Sequence, residues 1–396
     1  MKIVVVYRFA KLSPRVQLEI KTLAEEGYLV KVLRWDMGNV VPSTIEKRKG
    51  VTVEYIRLIP LKGIKPIFYL PLLYYRLAKK LRHEDFDCLH CTESLLLPLA
   101  AFIRKRKKTK LIYDAYDMDS IRFFQYLPCL KNYMRKIFEF IENRLVTRAN
   151  YVLTIDSRNG FLEKRYRRFN DNVEVLYSVP QLDVTLNPQR LKNVGKHYRG
   201  KRVIIYVGGI MEKKGLIKAL ESIKPVKEKI SDIKLLFIGS LKDSKSLARE
   251  YIERHGLVDN IEFIDWLPYE EMLYYLEVAE LGLALYQPIG HHKVAGKGQG
   301  RKFFTYMETS LPIVGPEFGV LGQVVREEKC GILVDTTNSR QIADAIMYLL
   351  DHPEEAKTMG ERGRKAIEEK YNWEIEKEKL LKAYREMEHE IDGKNE

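Results

Sequence analysis

The sequence predicts an α/β protein built from two doubly wound, Rossmann-like domains. Short β-branched runs alternate with stretches whose apolar residues recur at helical spacing, an order that lays strands in a parallel sheet with helices on both faces. The alternation breaks over residues 179–200, where Pro180, Pro188, Gly195 and Gly200 read as an interdomain linker. The chain's 396 residues also exceed one ordinary core, so two domains of about 200 residues are the natural division.

Taken in order, Lys2 to Val6 is a strand run, Pro14 to Glu26 a helix stopped by Gly27, and Leu29 to Leu33 a second strand. Val51 to Ile56 alternates like a further strand, Ile67 to Leu81 is an amphipathic helix, Phe86 to Cys91 a strand and Glu93 to Ile103 a helix. Lys110 to Tyr113, a long helix from Leu130 to Arg148, Tyr151 to Ile155, a helix to Arg168 and Val173 to Leu176 complete a first domain over 1–180. The second series runs Val203 to Val207, Gly215 to Val226, Ile233 to Ile238, Ser244 to His255, Ile261 to Ile264, Tyr269 to Val278 and Leu281 to Leu285. It continues with a helix Arg301 to Ser310, a strand Leu311 to Val314, Ile332 to Val334 and helices from Ser339 to Glu369, giving a domain over 181–371. Residues 372–396 read as a long charged closing helix.

An apolar fraction of 45% excludes a disordered chain, and no apolar run approaches the roughly 18 residues of a spanning helix. Met1-Lys-Ile-Val-Val-Val-Tyr opens directly on a strand without signal-peptide anatomy, so a cytoplasmic protein is expected. Cys88 and Cys91 have C-x-x-C spacing inside a strand with no second pair to complete a zinc site; with Cys129 and Cys330 they read as reduced thiols.

The formal charge is +14, and residues 1–180 alone carry 34 Lys and Arg against 19 Asp and Glu. A polyanionic partner for the first domain follows. No acid lies between Glu54 and Glu84, a window holding Lys62, Lys65, Arg76, Lys79, Lys80 and Arg82 beside apolar Ile67 to Tyr75. Arg104 to Lys110 is a second such window, and Ser120 to Phe138 mixes Phe123, Phe124 and Tyr126 with Arg122, Lys131, Arg135 and Lys136. Basic and aromatic residues on amphipathic helices suit an anionic membrane surface, so a peripheral position on the inner membrane face is expected. A rival reading is a non-catalytic protein using this half on nucleic acid; no RNA-binding motif supports it, and no nucleic-acid partner is expected.

Two stretches carry candidate chemistry. Gly300 to Gly319 places a Gly/Lys-rich loop (295–300) before a helix N-terminus, followed by a strand; free N–H groups and the helix dipole converge there, and Arg301 and Lys302 add cations that suit an anion. Ile204 to Leu216 joins a strand to a helix through Gly208 and Gly209, with Lys214 before Gly215. Asp117-Met-Asp119 has the spacing of a metal-binding carboxylate pair, in an unpersuasive setting.

Lys302-Phe-Phe-Thr-Tyr-Met-Glu-Thr-Ser-Leu-Pro-Ile-Val-Gly315 resembles the donor-binding segment of the family 4 retaining glycosyltransferases, K-L-F-E-Y-M-A-A-G-L-P-V-V-A. Tyr206-Val-Gly208-Gly209 to Lys214-Gly-Leu is similar to Y-V-G-R-L-x-x-x-K-G-L, Leu111 to Asp117 to L-V-Y-D-x-H-E, and Asp87 to Glu93 to D-V-V-H-A-H-D. Glu174 to Pro180 and Ser13-Pro-Arg15-Val match V-I-x-N-x-P and D-P-R-V. The resemblance implies GT-B architecture, with two Rossmann-like domains facing a cleft and the closing helix crossing back to the first. It implies transfer from a UDP- or GDP-linked nucleotide-sugar to a glycan or lipid-linked acceptor, without cofactor or metal. Lys214 and Lys302 would stabilise the departing diphosphate, Gly208 and Gly209 admit it to the backbone, and Asp114 or Tyr116 orient sugar or acceptor. Arg301 and Arg15 join the donor site, Arg15 through its place near the cleft. Two departures stand out: Gly209 occupies the family's Arg place, and the two Glu of its Glu–seven residues–Glu signature are Lys297 and Thr305. Glu308, one turn beyond Thr305, is the carboxylate expected to hold donor hydroxyls with it. Tyr116 stands where the family has His.

Overall fold

A computed structural model describes all residues except 10–11, 37–44, 49, 60–65, 125–129, 156–157, 183, 242–243, 294–295, 297–299 and 393–396. Lys62, Lys65, Tyr126, Cys129, Lys297 and most of the 295–300 loop therefore lie outside the described residues. The chain forms two compact units, Met1–Ser178 with Ile375–Glu396, and Val179–Glu374.

The elements of the first unit are β1 (Lys2–Tyr7), α1 (Pro14–Glu25), β2 (Leu29–Asp36), β3 (Ile45–Arg48), β4 (Val51–Arg57), α2 (Leu70–His83), β5 (Cys88–Thr92) and α3 (Leu97–Lys107). They continue with β6 (Lys110–Ala115), α4 (Asp119–Phe124), α5 (Lys131–Val146), β7 (Tyr151–Thr154), α6 (Phe161–Tyr166) and β8 (Val173–Val175). The second unit holds α7 (Pro188–His197), β9 (Arg202–Val207), α8 (Leu216–Lys229), β10 (Ile233–Ile238), α9 (Lys245–Arg254), β11 (Ile261–Ile264), α10 (Tyr269–Leu276) and β12 (Leu281–Leu283). After these come α11 (Arg301–Glu308), β13 (Ile313–Pro316), α12 (Gly319–Glu328), β14 (Gly331–Val334), α13 (Ser339–Asp351), α14 (Pro353–Glu369) and α15 (Trp373–Asp392), the last joining the first unit from Ile375.

The first sheet runs β3-β4-β2-β1-β5-β6-β7-β8, parallel but for the β3–β4 hairpin; the second runs β11-β10-β9-β12-β13-β14, parallel throughout. In both, the order reverses beside the first strand, and at such a switch point the carboxyl ends of the strands open a crevice for ligands. The strands read as continuous apolar runs because both faces are covered: Ile3 to Tyr7 and Val203 to Val207 are buried at every position.

Part of the stretch read as linker is helix. Asn187 accepts hydrogen bonds from the Gln189 and Arg190 N–H groups, and Pro188 takes the first turn, where its missing N–H is no loss. Proline and asparagine here start a helix instead of breaking one. α3 also begins later than its apolar spacing suggests, because Glu93 takes a positive φ of 91°. β3 and α4 were not foreseen at all.

Candidate active site

β9 ends at Val207, and Gly208 turns the chain with φ of 97° while its N–H donates to Ile238 O at 2.8 Å. A Cβ on Gly208 would stand 3.9 Å from Lys302 Cε, and one on Gly209 3.3 Å from Lys214 Nζ. Gly215 (φ 90°) starts α8, and a Cβ there would fall 2.3 Å from Leu285 O, so only glycine fits. The four expected residues Gly208, Gly209, Lys214 and Lys302 thus come together.

Tyr306 is what brings α11 to this turn. Its hydroxyl accepts from Val207 N–H at 3.0 Å and donates to Leu283 O at 2.9 Å, pinning the helix over β9 and β12. Gly282 makes room, since a Cβ there would lie 2.5 Å from the Tyr306 ring. Lys302, one turn earlier, is 7% exposed, and its Nζ sits 3.4 Å from the Tyr206 ring centroid with no hydrogen-bond partner among the described residues. Burial, and then the Lys214 charge, push this ammonium well below its ordinary 10.5.

Arg301, Thr305 and Glu308 occupy a face of α11 turned about 100° from Lys302. The Glu308 carboxylate accepts from the Tyr269 hydroxyl and its carbonyl from Arg364 Nη1 at 2.8 Å; Arg301 lies over the Tyr269 ring at 5.0 Å, and its Nη1 reaches Val179 O at 3.5 Å. Thr305 is buried against the same tyrosine. Burial raises the Glu308 carboxyl to about 7, with Tyr269, Arg301 and Arg364 opposing. Glu308, expected to supply a missing carboxylate, does stand beside Thr305 as i, i+3 spacing requires, and there its Oε2 accepts from Tyr269.

In the first unit Arg15 and Asp114 are paired in the core. Arg15 Nη2 donates to Asp114 Oδ1 at 2.5 Å, Nε to Glu19 Oε1 at 2.7 Å and Nη1 to Leu176 O at 3.2 Å, with Arg15 2% and Asp114 0% exposed. Neither side chain reaches a surface, which corrects the expectation that they touch donor or acceptor. Tyr116 does stand at the carboxyl end of β6. Its hydroxyl donates to Glu93 Oε1 at 2.9 Å, and Arg8 Nε donates to Glu93 Oε2 at 2.5 Å. Burial lifts the Glu93 carboxyl to about 7 against the pull of Arg8. Tyr7, Arg8, Glu93 and Tyr116 therefore gather at the ends of β1, β5 and β6. Of these only Tyr116 was anticipated; a place at the last residue of a buried parallel strand, or next after it, was the signal for the others.

Asp119 of the spaced carboxylate pair accepts from Ser94 N and Oγ, while Asp117 turns to Met118 N. Cys88, Cys91 and Cys330 are free and buried, and burial raises the Cys88 thiol to about 12. Beside Gly208, a cavity of 910 Å³ opens at the ends of β10 and β11, lined by Gly239, Ser240, Lys245, Arg249, Phe263 and Asp265. On the first unit, Phe68, Leu72 and Tyr75 and, on α5, Tyr133, Met134, Ile137, Phe140 and Ile141 are exposed. A groove of 630 Å³ between α2 and α3 is lined by Tyr75, Lys79, Arg82, Phe102, Arg106 and Lys107. No helix among the described residues is long and apolar enough to cross a membrane.

Two Rossmann-like units with these sheets define the GT-B glycosyltransferase fold. HepE of Anabaena, solved with UDP and glucose, superposes with a TM-score of 0.71 over 99% of this chain and 100% of that one, at 12% identity. Residues 188–366, within the second unit, match the family described as Glycosyl transferases group 1. Spore coat protein SA of Bacillus subtilis is 25% identical over 61% of this chain and 64% of its own length, so the chain spans under two-thirds of that relative. Phosphatidyl-myo-inositol mannosyltransferase of Mycobacterium leprae is 24% identical over 82% of this chain and 80% of its own length.

Proposed function

We propose that the chain is a retaining glycosyltransferase that moves a sugar from a UDP- or GDP-linked donor to a glycan or lipid-linked acceptor, with no metal at the leaving group. The observation that carries the reading is the buried Lys302 ammonium beside Gly208, Gly209 and Lys214. Leaving a charge buried and unpaired is costly, and a diphosphate would turn that cost into a charge-assisted contact. As the anomeric carbon–oxygen bond breaks, negative charge grows on the diphosphate; Lys302 and Lys214 are the groups assigned to stabilise it. The nucleoside half is assigned to the cavity beside Gly239.

The relative solved with UDP and glucose supports a UDP-linked donor, and the relative named for phosphatidyl-myo-inositol supports a lipid acceptor. Exposed aromatic residues beside the basic residues of α2, α3 and α5 support a peripheral place on an anionic, cytoplasm-facing leaflet. Tyr116 and Glu93 are assigned to the acceptor. The test is a transfer and donor-hydrolysis assay over a panel of nucleotide-sugars. Loss of turnover by about 10²–10³-fold in both Lys214→Ala and Lys302→Ala, with folding intact, is expected; near-normal turnover in both overturns the assignment.

A further inference from the structure

The core of the first unit holds a second polar constellation that transfer does not use. Glu19 of α1, His90 of β5 and Asp114 of β6 are each at most 1% exposed. Glu19 Oε2, His90 Nε2 and Asp114 Oδ2 have no hydrogen-bond partner among the described residues. The imidazole Nε2 is 4.0 Å from Glu19 Oε2 and 3.9 Å from Asp114 Oδ2, so three orphaned atoms from three elements face one point.

Everything around them is held. Arg15 takes the other oxygen of each carboxylate, and His90 Nδ1 meets the Tyr384 hydroxyl of α15 at 2.7 Å. That leaves Nε2 as the free ring nitrogen, in the manner of an imidazole oriented from outside to serve as a ligand. Glu376 is a third buried carboxylate in the field of Arg15, and Lys379 donates to it at 2.8 Å. Three buried carboxyl groups, Glu19, Asp114 and Glu376, thus gather around two basic side chains, Arg15 and Lys379. Burying unpaired polar atoms is costly, and three aimed at one spot call for an occupant.

We propose that Glu19, His90 and Asp114 bind a divalent first-row transition metal ion as a structural site. Two carboxylates and an imidazole are a ligand set for manganese, iron or zinc. With two sides of 4.0 and 3.9 Å and the third within 4.8 Å, the centre of the triangle lies roughly 2.3–2.5 Å from each corner, near ordinary metal–ligand lengths. The enclosed position makes the ion a clasp: it ties α1 to β5 and β6 and, through His90 and Tyr384, to α15. Its role is separate from the leaving-group site of the second unit.

The test is elemental analysis of the full-length protein purified without chelator, with melting followed before and after EDTA and on adding back Mn²⁺ or Zn²⁺. About one equivalent of a transition metal per chain is expected, with a lower melting temperature in EDTA that the metal restores. His90→Gln is expected to weaken the metal by about 10–100-fold and to abolish the EDTA response. If His90→Gln does not fold, the wild-type metal content and EDTA response decide alone. Wild type with less than about a tenth of an equivalent and no shift on adding either ion overturns the proposal, and a shared proton closes the charge instead.

Discussion

Replacing Lys302 by methionine separates its proposed role in binding from any role in folding. The ammonium lies 3.4 Å from the Tyr206 ring centroid, with Tyr286 at 5.4 Å and no hydrogen-bonding oxygen among the described residues. Methionine fills nearly the same volume and removes an uncompensated buried cation, so stability should hold or rise by up to about 1–4 kcal/mol. Transfer should fall by about 10²–10³-fold, the cost of losing one electrostatic stabiliser. The pH dependence carries a further sign. A lysine whose folded pKa is depressed binds fewer protons folded than unfolded, so its penalty is full below the folded value and relieved as pH rises toward 10.5. Wild type should therefore gain stability over that alkaline window relative to Lys302→Met. A diphosphate beside Nζ reverses the depression, so within that pH window UDP binding should take up a proton. Titration calorimetry in two buffers of different ionisation enthalpy measures that uptake. A Lys302→Met protein that is markedly destabilised, transfers normally or binds UDP with unchanged proton uptake would refute the reasoning.

The remaining predictions are brief. Glu93 and Glu308 are each raised from 4.5 to about 7, chiefly by burial, so the stability they add is full below pH 4.5 and lost as pH rises through about 7; Glu308→Gln should flatten part of that fall in a pH series of denaturant melts, while changing UDP affinity less than about twofold if Tyr269 is its true partner. Gly208→Ala places a side chain at φ 97° and should cost about 1–2 kcal/mol, whereas Gly209→Ala meets only the flexible ends of the Lys214 and Met211 side chains and should cost far less; equal melting temperatures would count against the turn geometry. Co-sedimentation should find binding to anionic but not zwitterionic vesicles, weakened by salt and by changing Arg104 to Lys108 to glutamine, since each basic contact is worth roughly 1 kcal/mol; no binding at low salt refutes the membrane reading.

The sheets were legible because buried parallel strands are near-continuous β-branched runs, as in Lys2 to Tyr7 and Arg202 to Val207. β3 escaped because Ile45-Glu-Lys-Arg48 is a polar edge strand paired on one side only, so no buried face marks it. α7 escaped for the opposite reason: proline and glycine were weighed as breakers, although Asn187 before Pro188 is a start signal.

The residues of the proposed donor site were legible to the degree that backbone geometry demands them. Gly208, Gly215 and Lys302 sit at fixed offsets from strand ends, and offsets survive in a sequence. Orientation around a helix axis does not survive so well: Lys302 and Arg301 are neighbours in sequence, yet one stands by Gly208 and the other on Tyr269. The same blindness affected Asp114. A carboxylate at the last turns of a central strand points alternately to one face and the other, and only Arg15, arriving from a helix 99 positions earlier, decides that this one is core. Tyr116, two residues on, stands just beyond the end of β6, and its hydroxyl meets Glu93. Where strand alternation stops and the loop begins is the step at which a core charge becomes a site charge, and that boundary shifts by a residue or two in any reading of sequence.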